Sequence, residues 1–280
     1  MTTSHNPLRQ FFRQPAIYLR LPSNGKHWPA GSLDMPVNGE LPVYPMTAID
    51  EITYRTPDAL FNGQAVISVI QSCVPAIKNA WHIPNMDMNS VLVAIRIASY
   101  SHEMDVTSTC PACSHSADYV VDMRTLLDQI RIPNYAESMS FGDLEVSFKP
   151  VTYEQQNQSG MLQFEQQKIL NMLPETDLPD EEKMVKLNQA LRQITEITIS
   201  VISKNISAII APGIVVTDAD QIEEFLRNCD RSVYHQVRDH VINLNQETQL
   251  SPLKIQCVEC EHQYEQPMNL DMASFFDSAS

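Results

Sequence analysis

Two short cysteine pairs, Cys110-Pro-Ala-Cys113 and Cys257-Val-Glu-Cys260, constrain this chain more than anything else in it. Each is followed two residues later by a histidine (His115, His262) and then by an aromatic (Tyr119, Tyr264). An Asp-Met and a short apolar run come next, Asp122-Met-Arg-Thr-Leu-Leu in one case and Asp271-Met-Ala-Ser-Phe-Phe in the other. The segments beside both pairs read as extended, so each C-x-x-C is a tight turn that points its two sulfurs inward. Four sulfurs from two such knuckles make the tetrahedral set taken by structural zinc. The spacing predicts that Cys110, Cys113, Cys257 and Cys260 hold one structural Zn2+ between them. His115 and His262 then lie outside the ligand set; substitution of one of them for a thiolate is the alternative.

Other chemistry fits less well. A redox C-x-x-C opens a helix, and Ser114-His-Ser-Ala-Asp after the first pair does not read as one. Zinc ribbons that bind nucleic acid need basic flanks, whereas these carry Asp118, Asp122, Glu259, Glu261 and Glu265. The formal net charge of −15 argues the same way against nucleic acid and anionic membrane. No apolar run reaches spanning length, the best being broken by Arg96 and Lys204, so no membrane insertion is expected. Met1-Thr-Thr-Ser-His does not read as a signal peptide, which implies a reducing cytosol where thiols stay unpaired. Cys73 and Cys229, in apolar helical settings, read as core residues. There is no H-E-x-x-H, phosphate-binding glycine loop or G-x-S-x-G, and the expectation is a protein that is not an enzyme.

The patterning predicts an α+β, mainly helical chain with small β-hairpins and a split, zinc-ribbon-like site. Residues 1–15 are a polar tail around Phe11-Phe12. Residues 16–45 read as a β-meander, since Asn24-Gly25 and Asn38-Gly39 suit type I′ turns. Thr47 and Asp50 have capping-box spacing, and Thr56-Pro57-Asp58 opens a helix with Leu60, Ile67, Ile70 and Val74 on one face. A further helix is expected over 87–104 with Val91, Leu92, Ile95 and Ala98 buried, then a short one near 123–130. A hairpin over 139–149 turns at Gly142-Asp143. The Gln-rich stretch 153–173 is expected to be an amphipathic helix, with breaks at Leu173-Pro174 and Leu178-Pro179. The longest helix, 181 to about 210, carries a heptad-like seam (Met184, Leu187, Leu191, Ile194, Thr198, Val201) and ends at Pro212-Gly213. That seam packs within the chain or joins copies into a homo-oligomer. Two helices, about 218–228 and 231–245, complete the pattern. The implied organisation is a tail (1–15) and one zinc-clasped unit (16–280). Within that unit, 16–135 carries the first knuckle, 136–250 is an inserted helical lobe and 251–280 carries the second knuckle.

Several N-terminal motifs resemble the baseplate hub proteins of T-even-type contractile-tailed bacteriophages. They are Leu21-Pro-Ser-Asn-Gly-Lys, Leu41-Pro-Val-Tyr-Pro-Met-Thr-Ala-Ile-Asp-Glu, Thr56-Pro-Asp-Ala-Leu-Phe-Asn-Gly-Gln-Ala and Val69-Ile-Gln-Ser-Cys-Val-Pro. The resemblance spans residues 17–115 and fades over 150–250. It implies a structural protein of the virion tail baseplate hub, made in the bacterial cytoplasm, that binds other hub or spike components. An assembly chaperone absent from the finished particle is the alternative within that class. Phe11-Phe12, the loop Lys26-His27-Trp28 and the heptad seam are the candidate contacts.

Overall fold

The structure, a computed structural model, describes residues 7–55, 63–173 and 179–268. It is α+β, with helices predominating over small antiparallel sheets. The chain divides into two compact units. The first is discontinuous, Met1–Ala80, Asn89–Ile130 and Leu250–Ser280; the second comprises Trp81–Met88 and Arg131–Gln249.

In the first unit, β1 (Ile17–Leu19) pairs antiparallel with β2 (Leu41–Val43). The expected meander is reduced to this one pair. Asn24 and Gly25 do adopt positive φ, 51° and 77°, but their turn lies in an irregular connection instead of between strands. Pro22, Pro29 and Pro36 punctuate that connection, and a proline cannot donate to a ladder. Helix α1 (Ala48–Tyr54) has the predicted capping box: the Asp50 N–H donates to Thr47 Oγ1 (3.3 Å) and the Thr47 N–H to Asp50 Oδ2 (2.7 Å). Arg13 ties the N-terminal segment to this cap, donating to Pro45 O, Asp50 Oδ2, and Ser72 O and Oγ. Ahead of it a 3-10 turn, Pro7–Phe11, buries nothing.

Helix α2 (Gln64–Cys73) buries Ile67 and Ile70 and stops before Pro75; the proposed start at Thr56-Pro57-Asp58, with Leu60, lies outside the described residues. Helix α3 (Asn85–Ser99) is buried on all sides from Ser90 to Arg96, more than the single stripe expected. It also ends five residues early. From Glu103 the period changes to two, and Glu103–Thr109 is strand β3, paired along its length with β4 (Ser116–Asp122). Asp122 caps the short helix α4 (Met123–Asp128) by accepting from the Arg124 N–H. Near the C-terminus β9 (Leu253–Gln256) pairs with β10 (Gln263–Gln266). The Asp271 segment lies outside the described residues.

The second unit is built on a four-stranded antiparallel sheet ordered β5-β6-β7-β8. Hairpin β5 (Met139–Phe141) and β6 (Leu144–Phe148) turns at Gly142-Asp143, as its sequence requires. Strands β7 (Ile206–Ala211) and β8 (Ile214–Val216) turn at Pro212-Gly213. The long helix thus ends earlier than expected: α6 is Asp180–Lys204, and Ile206–Ala211 leaves it to become sheet. Asn205 marks the switch. It is fully buried, its Nδ2 donates to Val201 O (2.8 Å), and its carbonyl accepts from Lys149 beside β6 (2.8 Å). Val146, Phe148, Ile206 and Ile209 from the sheet form one core with Ile222 and Leu226 of α7 (Ala219–Asn228) and Val237 and Val241 of α8 (Arg231–Glu247).

Helix α5 (Tyr153–Met172) starts at a capping box, Thr152 with Gln155, and packs along α6. It is not the amphipathic helix expected. Only Ser159 is buried, and Leu162, Phe164, Ile169 and Met172 are exposed. Pro174 and Leu178 lie outside the described residues. Along α6 the side chains withdrawn from solvent include Leu187, Ala190, Ile194, Ile197, Ile199, Val201 and Ile202, while Met184, Leu191 and Thr198 of the predicted seam stay exposed. No helix among the described residues is long and apolar enough to cross a membrane.

The Arg13 contacts yield a prediction. Replacing Arg13 by Ala leaves the Asp50 carboxylate and the Ser72 carbonyl short of a donor, and should cost about 1–2 kcal/mol in denaturant unfolding. Arg13→Lys, which lacks the fork that reaches both groups, should recover less than half of that loss.

Candidate metal centre

The four predicted cysteines meet at the tips of two hairpins. Residues 110–115 connect β3 to β4 and residues 257–262 connect β9 to β10. The two knuckles have the same backbone. The Cys110 N–H donates to His115 O (2.8 Å) and the Ser114 N–H to Cys110 O (2.9 Å); the Cys257 N–H donates to His262 O (2.9 Å) and the Glu261 N–H to Cys257 O (3.0 Å). The residue after the second cysteine is left-handed in both, Ser114 at φ 59° and Glu261 at φ 58°. That conformation reverses the chain tightly enough for both sulfurs of a knuckle to face the same way.

Across the site, Cys110 Sγ lies 3.7 Å from Cys260 Sγ, and Cys113 Sγ lies 3.6 Å from Cys257 Sγ. All four sulfurs fall within 4.8 Å of one another. First cysteines therefore face second ones, as a local two-fold relating the knuckles requires. Burial follows the same symmetry, with Cys110 and Cys257 buried and Cys113 and Cys260 exposed. The four are free thiols, far beyond the S–S length of about 2.05 Å. A metal–sulfur bond of about 2.3 Å places tetrahedral ligands ~3.8 Å apart, close to the contacts here. The cluster can hold a metal ion.

The electrostatics fit the same use. Backbone N–H groups of Cys260 and Glu259 pull the Cys257 thiol down to about 6. The His115 N–H acts on Cys113 in that direction, yet hydrogen bonds to the other three sulfurs and desolvation outweigh it and push Cys113 up to about 12. The His262 N–H works on Cys260 in the same way, and that thiol also lies above its ordinary range. The thiolate is thus favoured at Cys257, while hydrogen bonds and burial favour the thiol at Cys113 and Cys260. A bound cation is what permits all four to ionise.

Around the sulfurs the hairpins are joined directly. Ser108 of β3 bonds Tyr264 Oη (2.9 Å) and donates to Gln266 Oε1 (2.7 Å), both on β10. Tyr264 also hydrogen-bonds Tyr119 of β4, which with burial raises the Tyr119 phenol. The two aromatics noted after the knuckles thus meet. The histidines do not join the cluster: His115 and His262 are exposed, and His262 stacks on Tyr264 with centroids 6.2 Å apart. Ser108 and Gln266 are contacts that sequence reasoning missed; their only trace is placement on alternate positions of paired strands.

The remaining candidates separate. Cys73 is fully buried and its thiol is pushed up to about 12, first by desolvation and then by Asp50. Cys229 is only half-buried and its sulfur contacts Leu226 O. Neither knuckle opens a helix. Of the acidic flank, Asp118 accepts from Thr107 (2.6 Å), and Asp122, paired with Arg124, has its carboxyl pulled down to about 2.

A family model described as T4 bacteriophage base plate protein matches residues 34–277. The match runs through 150–250, where the motif-level resemblance faded, and takes in both knuckles. No curated protein and no solved structure matches the chain.

The paired left-handed residues give a test of the knuckle geometry. Glycine pays no Cβ penalty at positive φ but gains unfolded-state entropy, so Ser114→Gly and Glu261→Gly should change stability by no more than about 1 kcal/mol. Glu261→Val, β-branched at the same φ, should cost about 1–2 kcal/mol in thermal or denaturant unfolding.

Proposed function

We propose, from the premise that this chain belongs to the T4 bacteriophage base plate protein family, that it is a non-enzymatic structural component of the tail baseplate hub. The single observation that carries the reading is the family match over residues 34–277, which includes all of the second unit and most of the first. Baseplates are assemblies of interlocking proteins, so membership implies contacts with other baseplate components and a place in the virion tail. The further steps are our own: hub or spike proteins as the partners, assembly in the host cytoplasm, and retention in the mature particle. Exposed apolar side chains at Phe11 and Phe12, whose segment Arg13 anchors, supply one contact surface in the first unit. Trp28, half-buried in the irregular loop, is a second candidate.

We also assign the four-cysteine cluster to one structural Zn2+. Cys110, Cys113, Cys257 and Cys260 would supply all four ligands, leaving no open position for catalysis. An ion there offsets thiolate charge and cross-links two hairpins far apart in sequence. In small zinc-finger peptides such binding is worth roughly 10–16 kcal/mol, more than enough to offset closing the long loop over residues 114–256. The halves 1–113 and 257–280 are accordingly expected to unfold with the clasp as one cooperative event.

The two readings are tested separately. Elemental analysis should find about one zinc per chain, and Cys257→Ser should lose the metal and lower the unfolding midpoint; fully folded, metal-free protein defeats the zinc assignment. Affinity purification from infected cells should recover hub or spike proteins, and mass spectrometry of purified virions should find the chain. Recovery with hub proteins but absence from virions would mark an assembly chaperone instead.

A further inference from the structure

Over residues 180–198 helix α6 carries two apolar rows, and packing among the described residues withdraws only one of them. Leu187, Ala190, Ile194 and Val201 turn away from solvent, whereas Met184 is 56% exposed and Leu191 48%. At 3.6 residues per turn, Met184, Leu191 and Thr198 lie on one line, roughly 80° around the helix from the withdrawn row. Toward the C-terminus that line runs into Ile202, which is buried in the core of the second unit. The exposed stretch is thus a core-facing row that outruns its core. Beside it, on one flank, stand Glu181 and Arg192, both exposed and neither in an ion pair among the described residues. Arg227, by contrast, bridges Glu196 and Glu223 farther along.

The spacing of these groups is self-complementary. If two α6 helices lie antiparallel about a two-fold near Leu187, Met184 of each faces Leu191 of the other. The same axis brings Glu181 of each copy to Arg192 of the other, because equal flanks meet in an antiparallel pair. A parallel pair would instead set the acidic start Asp180-Glu181-Glu182 of each copy beside that of the other and would not bring Glu181 to Arg192. The centres of the apolar and the charged pairings lie one residue (~1.5 Å) apart, close enough for the side chains to satisfy both, and this selects a second copy of this chain as the occupant. We propose that the Met184–Leu191 row of α6 is a two-fold homodimer contact with antiparallel helices. The proposal does not rest on the baseplate reading.

Sedimentation velocity on the full chain over a concentration series tests it. A reversible monomer–dimer equilibrium is expected. Leu191→Lys should abolish the dimer while leaving the far-UV circular dichroism unchanged. Glu181→Arg and Arg192→Glu should each weaken the dimer by about tenfold, and the double exchange should restore it. A chain that stays monomeric, a dimer indifferent to Leu191→Lys, or single reversals that the double exchange fails to rescue would overturn the proposal. So would a monomer that takes up a different baseplate protein through the same row.

Discussion

Four sulfur atoms held within 4.8 Å are the constraint on which the first unit depends. They come from hairpins at residues 103–122 and 253–266, which lie far apart in the chain. Each pair is a small antiparallel ribbon with little apolar area of its own, and such ribbons are marginal alone. What makes them one object is the facing sulfurs, supported by Ser108 reaching Tyr264 and Gln266. Both knuckles use the same two backbone hydrogen bonds and the same left-handed residue, so the geometry that aims the sulfurs is internal to each turn. Bringing the turns face to face is then a matter of placing two rigid pieces rather than arranging four separate ligands.

The knuckles were legible in the sequence because a C-x-x-C is a local object. Its ligand spacing, its extended flanks and its turn are all contained in about six residues. The capping boxes at Thr47 and Thr152 and the turn at Gly142-Asp143 belong to the same class, set by side chains that bond their own neighbours. Elements set by distant partners were read less well. Residues 206–210 continue the apolar rhythm of the helix before them, and Asn205, with its carbonyl engaged by Lys149 just past β6, marks its end. The helix over 85–99 was carried too far for a related reason: Met104 and Val106 suit a helix face as well as a strand, and pairing with Val121 and Tyr119 decides between them.

The opposite error occurred at 16–45. Asn-Gly at 24–25 forces the positive φ values expected of it, but a turn becomes a hairpin only when its arms can pair. Prolines in those arms remove the donors. In α5 the departure concerns burial. Composition suggested a polar outer face, and the helix instead exposes Leu162, Phe164, Ile169 and Met172. A family built to assemble explains why burial within one chain underestimates how much apolar surface the sequence carries.

The discontinuity of the first unit bears on how the protein comes into being. A ribosome delivers the chain from the N-terminus, and Cys110 and Cys113 emerge long before Cys257 and Cys260. During that interval the first knuckle has two sulfurs and no facing pair, while the whole of Arg131–Gln249 is being made. The second unit has all its strands and helices by residue 249 and can fold as it leaves the tunnel. The first must wait for the segment from Leu250 onward. Products of synthesis interrupted before Cys257 would therefore carry the first knuckle without its facing pair.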